Sequence, residues 1–151
     1  MHIVLVEPEI PQNTGNIVRT CVLTDTTLHL VKPIGFSLED RYLKRAGLDY
    51  WDKLKIHIWN NYGEFLQYFP NNLIYLATTK ATGNYAQTKY NADDIIVFGS
   101  ESKGLSENIL ASNANKIRIP MLDFGRSLNL SNAVAIILYE ALRQHNFSNF
   151  Q

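Results

Sequence analysis

The residues of this chain that could do chemistry are gathered in four segments rich in Gly, Pro, Asn and Ser. They are Glu7-Pro8-Glu9-Ile10-Pro11-Gln12-Asn13-Thr14-Gly15-Asn16, which leads into a stretch carrying Arg19; Thr79-Lys80-Ala81-Thr82-Gly83-Asn84; Gly99-Ser100-Glu101-Ser102-Lys103-Gly104-Leu105; and Pro120 to Asn132. Gly99 and Gly104 stand where a phosphate-binding loop could form, but neither common phosphate motif fits. A P-loop needs Lys and then Ser or Thr directly after its last glycine, where this chain has Leu105 and Ser106, and Lys103 comes one place too early. The dinucleotide fingerprint needs a glycine at position 101, which is Glu101. A carboxylate there repels phosphate and suits a cationic ligand or a sugar hydroxyl. The plainer alternative is a tight strand-to-helix turn that uses glycine for positive φ.

Other chemistries find less support. His2, His29, His57 and His145 lack metal-ligand spacing, so no metal site is expected. Cys21, the single cysteine, falls in the apolar run Ile17 to Leu23 with no histidine nearby, which predicts a core thiol rather than a nucleophile. Glu7 and Glu9 straddle a proline and read as a solvated turn unless their loop folds over the site. Arg41, Lys44 and Arg45 share one face of a short helix beside Tyr50 and Trp51. Such a face is either merely solvated or a phosphate-and-base surface for single-stranded RNA. Lys plus Arg and Asp plus Glu are 14 each, so RNA binding would need a local patch rather than a global basic field.

These segments need a scaffold, and the pattern of apolar runs supplies one. Strands are expected at His2–Val6, Thr27–Lys32, Lys55–Trp59, Leu73–Thr78, Asp94–Phe98 and Lys116–Ile119. Between them, Ser37 and Asp40 start a helix that Arg41–Ala46 continues and Gly47 stops; Asn60 or Asn61 caps Glu64–Phe69 ahead of Pro70; Ser106 and Glu107 open a short helix; and Asn129 or Ser131 opens the last, ending near Gln144. The alternation predicts an α/β domain with a mostly parallel sheet, spanning residues 1–151, whose ligands gather beyond the carboxyl ends of the strands. Ala133 to Leu138 is apolar at six consecutive positions, which predicts a helix buried all round, against its own sheet and a second subunit. With 46% hydrophobic and 19% charged residues the chain should fold. One cysteine, no signal-like start and no span near 18 apolar residues predict a reducing, cytoplasmic setting without membrane.

Taken together, the loops resemble the motifs of the SPOUT superfamily of RNA methyltransferases. Asn13-Thr14-Gly15-Asn16-Ile17-Val18-Arg19 is similar to the first motif, Ile95 to Leu105 to the second, and Ile117 to Pro120 with Ser127-Leu128-Asn129-Leu130-Ser131-Asn132-Ala133 to the third. The opening Glu7 to Pro11 and the stretch Lys44-Arg45-Ala46-Gly47-Leu48-Asp49-Tyr50 are similar to the TrmL (YibK-like) branch. The resemblance covers essentially the whole chain. It implies a single-domain SPOUT fold with a C-terminal deep trefoil knot and a homodimer. The implied activity uses S-adenosylmethionine to methylate the ribose 2′-hydroxyl of the wobble nucleotide in leucine tRNAs, releasing S-adenosylhomocysteine. The implied cofactor pocket comprises Ala77, Thr78, Gly99, Glu101, Ile119, Met121, Ser127 and Leu128.

In that reading Arg19 meets the charge that develops on the ribose oxygen, since a guanidinium stays protonated and suits stabilisation better than proton abstraction. Asn13, Ser127 and Asn129 orient the guanidinium and the ribose, Tyr139 contacts substrate, and Arg41, Lys44 and Arg45 hold tRNA phosphates. The competing readings are a SPOUT enzyme acting on another tRNA or ribosomal RNA ribose, and a non-catalytic nucleotide- or RNA-binding domain in which Arg19 pairs with phosphate.

Overall fold

A computed structural model of the chain describes residues 1–37, 53–148 and 150. The segment from Asp40 to Trp51, with the basic face of Arg41, Lys44 and Arg45, lies outside the described residues.

Seven parallel strands form one sheet: β1 (His2–Val6), β2 (Thr27–Val31), β3 (Ile56–Trp59), β4 (Ile74–Ala77), β5 (Gly83–Asn84), β6 (Ile95–Phe98) and β7 (Lys116–Arg118), in the order β3-β2-β1-β6-β4-β7-β5. All six expected strands are present, most a residue shorter at one or both ends. The two-residue β5, expected as loop, pairs Gly83 with Ile117 beside β7. The described helices are α1 (Pro11–Leu23), α2 (Tyr62–Tyr68), α3 (Glu107–Ser112) and α4 (Leu130–Gln144). Asn61, Ser106 and Asn129 cap the last three with their side chains.

The apolar runs without alternation are the strands covered on both faces. Ile3 and Leu5 of β1, Leu28 and Leu30 of β2, and Ile96 and Phe98 of β6 pack with Ile17, Val18 and Cys21 of α1 and Val134, Ile137, Leu138 and Ala141 of α4. The intervening Val4, Val6, Val31, Ile95 and Val97 face the other way, onto Phe65 of α2 and Leu110 of α3. This is the period-two alternation of a strand, with apolar residues required on each side of a buried parallel sheet. Cys21 is a core thiol as expected, and burial pushes its pKa up to about 12.

The path of the chain determines where a ligand can bind. From β1 it runs outward through β2 to β3, then jumps past β6 to β4, so the direction reverses between β1 and β6. Open parallel sheets bind ligands beyond the strand ends at such a reversal. After β7, on the far side of β4, the chain returns across those ends to lay α4 against α1. The two helices run side by side in the same direction: Asn129 meets Asn13 at their amino ends, and Leu142 lines a hollow with Val22 and Leu23 at their carboxyl ends.

The last helix is not buried all round within one chain. Val134, Ile137, Leu138 and Ala141 are buried, whereas Ile136 is 37% and Tyr139 46% exposed. With the sheet below and α1 to one side, a stripe remains outward, and six apolar residues in succession must cross it.

Three histidines, His2, His29 and His57, stack across β1, β2 and β3. Buried His29 accepts a hydrogen bond from Trp59 Nε1 at Nδ1 (3.1 Å), which leaves its proton on Nε2, facing His2 Nδ1 at 3.0 Å. A second proton has no acceptor, and burial, followed by the neighbouring His2 and His57, lowers the His29 pKa to about 3. The unfolded chain, with an ordinary histidine pKa of about 6.5, therefore binds more protons between these two values. Stability from this group is complete above that unfolded value and is lost as pH falls toward 3. Urea titrations from pH 7 to 5 should show wild type losing up to about 1.4 kcal/mol per unit from this residue, and His29→Gln a shallower slope. Equal slopes in the two proteins would exclude it.

Candidate functional site

A cavity of about 750 Å³ opens at the carboxyl ends of β4, β6 and β7. Its wall is built from three loops and two helices. Ala77 and Thr78 come from the end of β4; Gly99 and Glu101 from the loop after β6; Ile119, Met121, Ser127, Leu128 and Asn129 from the segment between β7 and α4; and Asn13 from α1. Ile117, Leu105, Leu130 and Ile137 add apolar wall. The Thr78 N–H donates to the Ile117 carbonyl (2.9 Å), extending the β4–β7 pairing to the cavity edge.

The loop after β6 is closed on itself. Gly104 N–H donates to the Ser100 carbonyl (2.9 Å), and Gly104 sits at φ 68°, in the left-handed region. A Cβ on Gly99 would stand 2.0 Å from the Gly104 carbonyl carbon, so only glycine permits this closure. The plain reading of the two glycines, a tight turn, is therefore correct for the backbone.

Glu101 has a structural task as well. Helix α1 begins at Pro11 with Ile10 as its cap residue, and no side chain of its own segment caps it. Glu101 reaches over instead: Oε2 accepts from the Glu9 N–H (2.8 Å), and Oε1 accepts from the Ile10 N–H (3.2 Å) and Asn13 Nδ2 (3.0 Å). In return the Glu9 carboxylate accepts from the Ser102 hydroxyl (2.7 Å) and Ser102 N–H (3.0 Å). The Ser102 hydroxyl bond, followed by the Ser102 backbone bond, holds the Glu9 carboxyl below the usual carboxylate range. Glu9 is thus no merely solvated turn residue.

Asn13 passes the connection on. Its Oδ1 accepts from Asn129 Nδ2 (2.8 Å), while Asn129 Oδ1 accepts from the Ser131 N–H (2.9 Å), Ser131 Oγ (2.7 Å) and the Asn132 N–H (3.4 Å), capping α4. A chain of hydrogen bonds therefore runs Glu101, Asn13, Asn129 and the start of α4, joining three segments far apart in sequence.

Residues 1–139 match the SpoU rRNA Methylase family. The chain belongs to that family. It is 46% identical to the tRNA (cytidine(34)-2′-O)-methyltransferase of Methylovorus glucosotrophus strain SIP3-4, covering 97% of this chain and 96% of the relative. It is 44% identical to the tRNA (cytidine(34)-2′-O)-methyltransferase of Escherichia coli K12, covering 95% and 93%. A solved structure described as giving structural insights into the 2-OH methylation of C/U34 on tRNA superposes with TM-score 0.93 at 38% identity over 97% of this chain and 96% of that one. The fold is shared with the SpoU methyltransferase AviRb of Streptomyces viridochromogenes in complex with the cofactor AdoMet, at TM-score 0.89 and 21% identity over 97% of this chain and 61% of the other.

In this SpoU-family chain the residues expected around a cofactor, Ala77, Thr78, Gly99, Glu101, Ile119, Met121, Ser127 and Leu128, all line the one cavity. Asn13 and Asn129 line it too, but their amides are engaged with each other and with Glu101 rather than with a guanidinium. Arg19 and Tyr139 do not line it. Arg19 lies six residues beyond Asn13, about 9 Å along the axis and on a different face, exposed on α1. Tyr139 is exposed on α4.

Residue patterns gave no role to Lys80, Lys103 and Arg118 of the wall, and Arg126, the fourth cation there, lies between the stretches that carry the motif resemblance. The signal was available: each sits in or beside a loop that follows a strand. Among the described residues no histidine, cysteine and carboxylate group could hold a metal, and no helix is long and apolar enough to cross a membrane.

Asn13→Ala should take one of two donors from Glu101 Oε1 and the Asn13 acceptor from Asn129 Nδ2, and cost about 0.5–1.5 kcal/mol in a urea titration. Paired with Asn129→Ala it should be non-additive by about 0.5 kcal/mol or more; simple additivity would show that the two amides do not act as one network.

Proposed function

We propose that this chain methylates the ribose 2′-hydroxyl of the wobble nucleotide, a cytidine or uridine derivative, in leucine tRNAs, using S-adenosylmethionine. The observation that carries the reading is the meeting of all eight expected pocket residues, from three separate loops, in one cavity. The relatives named for methylation at position 34 of tRNA support it, at 44–46% identity over nearly the whole chain.

The wall suits S-adenosylmethionine. Its volume of about 750 Å³ lies within the roughly 300–1,000 Å³ usual for cofactor sites. Apolar Leu105, Ile117, Ile119 and Leu128 match the faces of an adenine and a thioether chain, and Thr78 and Ser127 offer hydroxyls to ribose and amino-acid ends. Glu101 is the sole carboxylate in the wall among the described residues and complements a positive charge. Ala77, Thr78, Gly99, Glu101, Ile119, Met121, Ser127 and Leu128 would hold the cofactor. When bound it supplies an activated methyl group for an in-line displacement, which asks the protein to align the ribose oxygen and manage one proton. Arg19 meets the developing charge on that oxygen, and Asn13 and Asn129 set the helices from which Arg19 and Tyr139 project.

A homodimer belongs to the same reading. Leu23 on α1 is 55% exposed, Ile136 on α4 37% and Tyr139 46%; Arg19 precedes Leu23 by one turn on the same side of α1, and α1 packs against α4. Pairing these exposed positions covers the apolar residues and brings Arg19 and Tyr139 to the junction between copies. The threaded C-terminal knot is part of the proposal as well, supported by the return of the chain from β7 to α1. A cytoplasmic location and a tRNA contact through Arg41, Lys44 and Arg45 complete it.

Incubation with labelled S-adenosylmethionine and total tRNA, followed by mass-spectrometric mapping, should place label on the 2′-oxygen at position 34 of leucine tRNAs; label elsewhere redirects the substrate, and no label with any RNA rejects the activity. Arg19→Lys keeps the charge and loses the planar fork, so single-turnover methylation should fall about 10²-fold with cofactor affinity unchanged. A near-wild-type rate would remove Arg19 from the mechanism. Ile136→Asp, at a position exposed in one chain, should leave the fold intact and shift sedimentation from dimer to monomer, whereas an unchanged sedimentation coefficient would place the interface elsewhere.

A further inference from the structure

The segment between β7 and α4 holds two large apolar side chains in water. Phe124 is 89% exposed and Leu122 is 72% exposed. Phe124 is held there by a turn in which the Gly125 N–H donates to the Leu122 carbonyl (3.3 Å), with Asp123 and Phe124 at its two central positions. The residues on either side of the turn, Met121 and Arg126, line the cavity, so Phe124 stands at its rim.

The same rim is cationic. Of the lining cations, Lys80 pairs with Glu107, while Lys103, Arg118 and Arg126 form no ion pair among the described residues. The three N–H donors on the Glu101 carboxylate come from the β1–α1 segment, so it is already committed. An exposed aromatic ring beside uncommitted cations is the pairing by which proteins grip single-stranded nucleic acid: cations take the phosphates and the ring takes a base face. A second copy of the chain is a poorer occupant, because a two-fold contact centred here would bring Arg118 and Arg126 towards their own equivalents.

We infer that Phe124 is a stacking platform for a base next to the methylated nucleotide, with Lys103, Arg118 and Arg126 on the adjoining phosphates. The inference rests on the RNA-methyltransferase reading and makes Phe124 a substrate-positioning residue for it. Stacking uses the ring alone, so alanine loses it and tryptophan keeps it. A ring almost wholly in water contributes little to the fold, so neither change should alter melting temperature.

The test is binding of a fluorescently labelled anticodon stem-loop RNA to wild type, Phe124→Ala and Phe124→Trp. Phe124→Ala should weaken binding about tenfold or more and Phe124→Trp should restore it, with S-adenosylmethionine affinity and melting temperature unchanged. An RNA carrying an abasic site at the stacked position should bind wild type and Phe124→Ala alike, which a general electrostatic contact would not produce. Equal RNA affinity of wild type and Phe124→Ala overturns the inference, as does a Phe124→Ala change in sedimentation without a change in RNA affinity, which would assign the ring to a contact between copies. Wild type that binds the stem-loop but methylates no RNA instead overturns the methyltransferase reading, leaving the binding comparison to judge Phe124 by itself.

Discussion

The hydrogen bonds from Glu101 through Asn13 to Asn129 are the constraint on which the site depends. A parallel sheet positions strand ends well but leaves its connecting loops free of one another, because each comes from a different part of the chain. Here Glu101 serves as the missing cap of α1, Asn13 bridges, and Asn129 caps α4, so the mutual placement of three loops follows from one continuous set of donors and acceptors. Asn13 is the buried member of this network, and its amide is paired on both sides, as a buried polar group must be, since leaving it unpaired costs more than a made bond gains. The reciprocal bonds of Glu9 with Ser102 add a second tie between the same two loops, and the closed turn between Gly99 and Gly104 keeps Glu101 where both can form.

This arrangement also settles the electrostatics. The chain has equal numbers of acidic and basic residues, yet among the described residues the cavity wall carries Lys80, Lys103, Arg118 and Arg126 against a single carboxylate. That carboxylate is occupied by N–H donors, and the Glu9 carboxylate is hydrogen-bonded to Ser102. Using carboxylates as internal acceptors leaves a positive field at the cavity in a protein without net charge, a suitable surface for phosphates that a count of charges conceals.

Much of this was legible in the residues. Apolar runs without alternation located the central strands because both faces of β1 and β6 are covered, and the cap residues located the ends of the helices because capping is a local signal. The pocket residues were legible as motif resemblance, since backbone-rich loops leave few other marks. What was hidden was long-range. Glu9 and Ser102 are 93 positions apart, and nothing near Glu9 distinguishes an acceptor for another loop from a solvated carboxylate. The outward stripe of α4 was hidden by composition: six apolar residues in a row signal burial on every face, but Ile136 points away from both the sheet and α1. Arg19 belongs to the same motif as Asn13, but six residues of helix turn it to another face.

That separation says how the molecule divides its work. Neither Arg19 nor Tyr139 lines the cavity, so in the proposed reading holding a small ligand and acting on an RNA oxygen are tasks of different surfaces. The two are joined mechanically, because α1 and α4 carry Arg19 and Tyr139 at exposed positions and have Asn13 in the first turn and Asn129 as the cap, whose amides belong to the cavity wall. A ligand that fixes the loops of the wall thereby fixes the amino ends of both helices. Rigid helices carry that order about two turns further, to the guanidinium and phenol, without any side chain between the cavity and the outer face having to move.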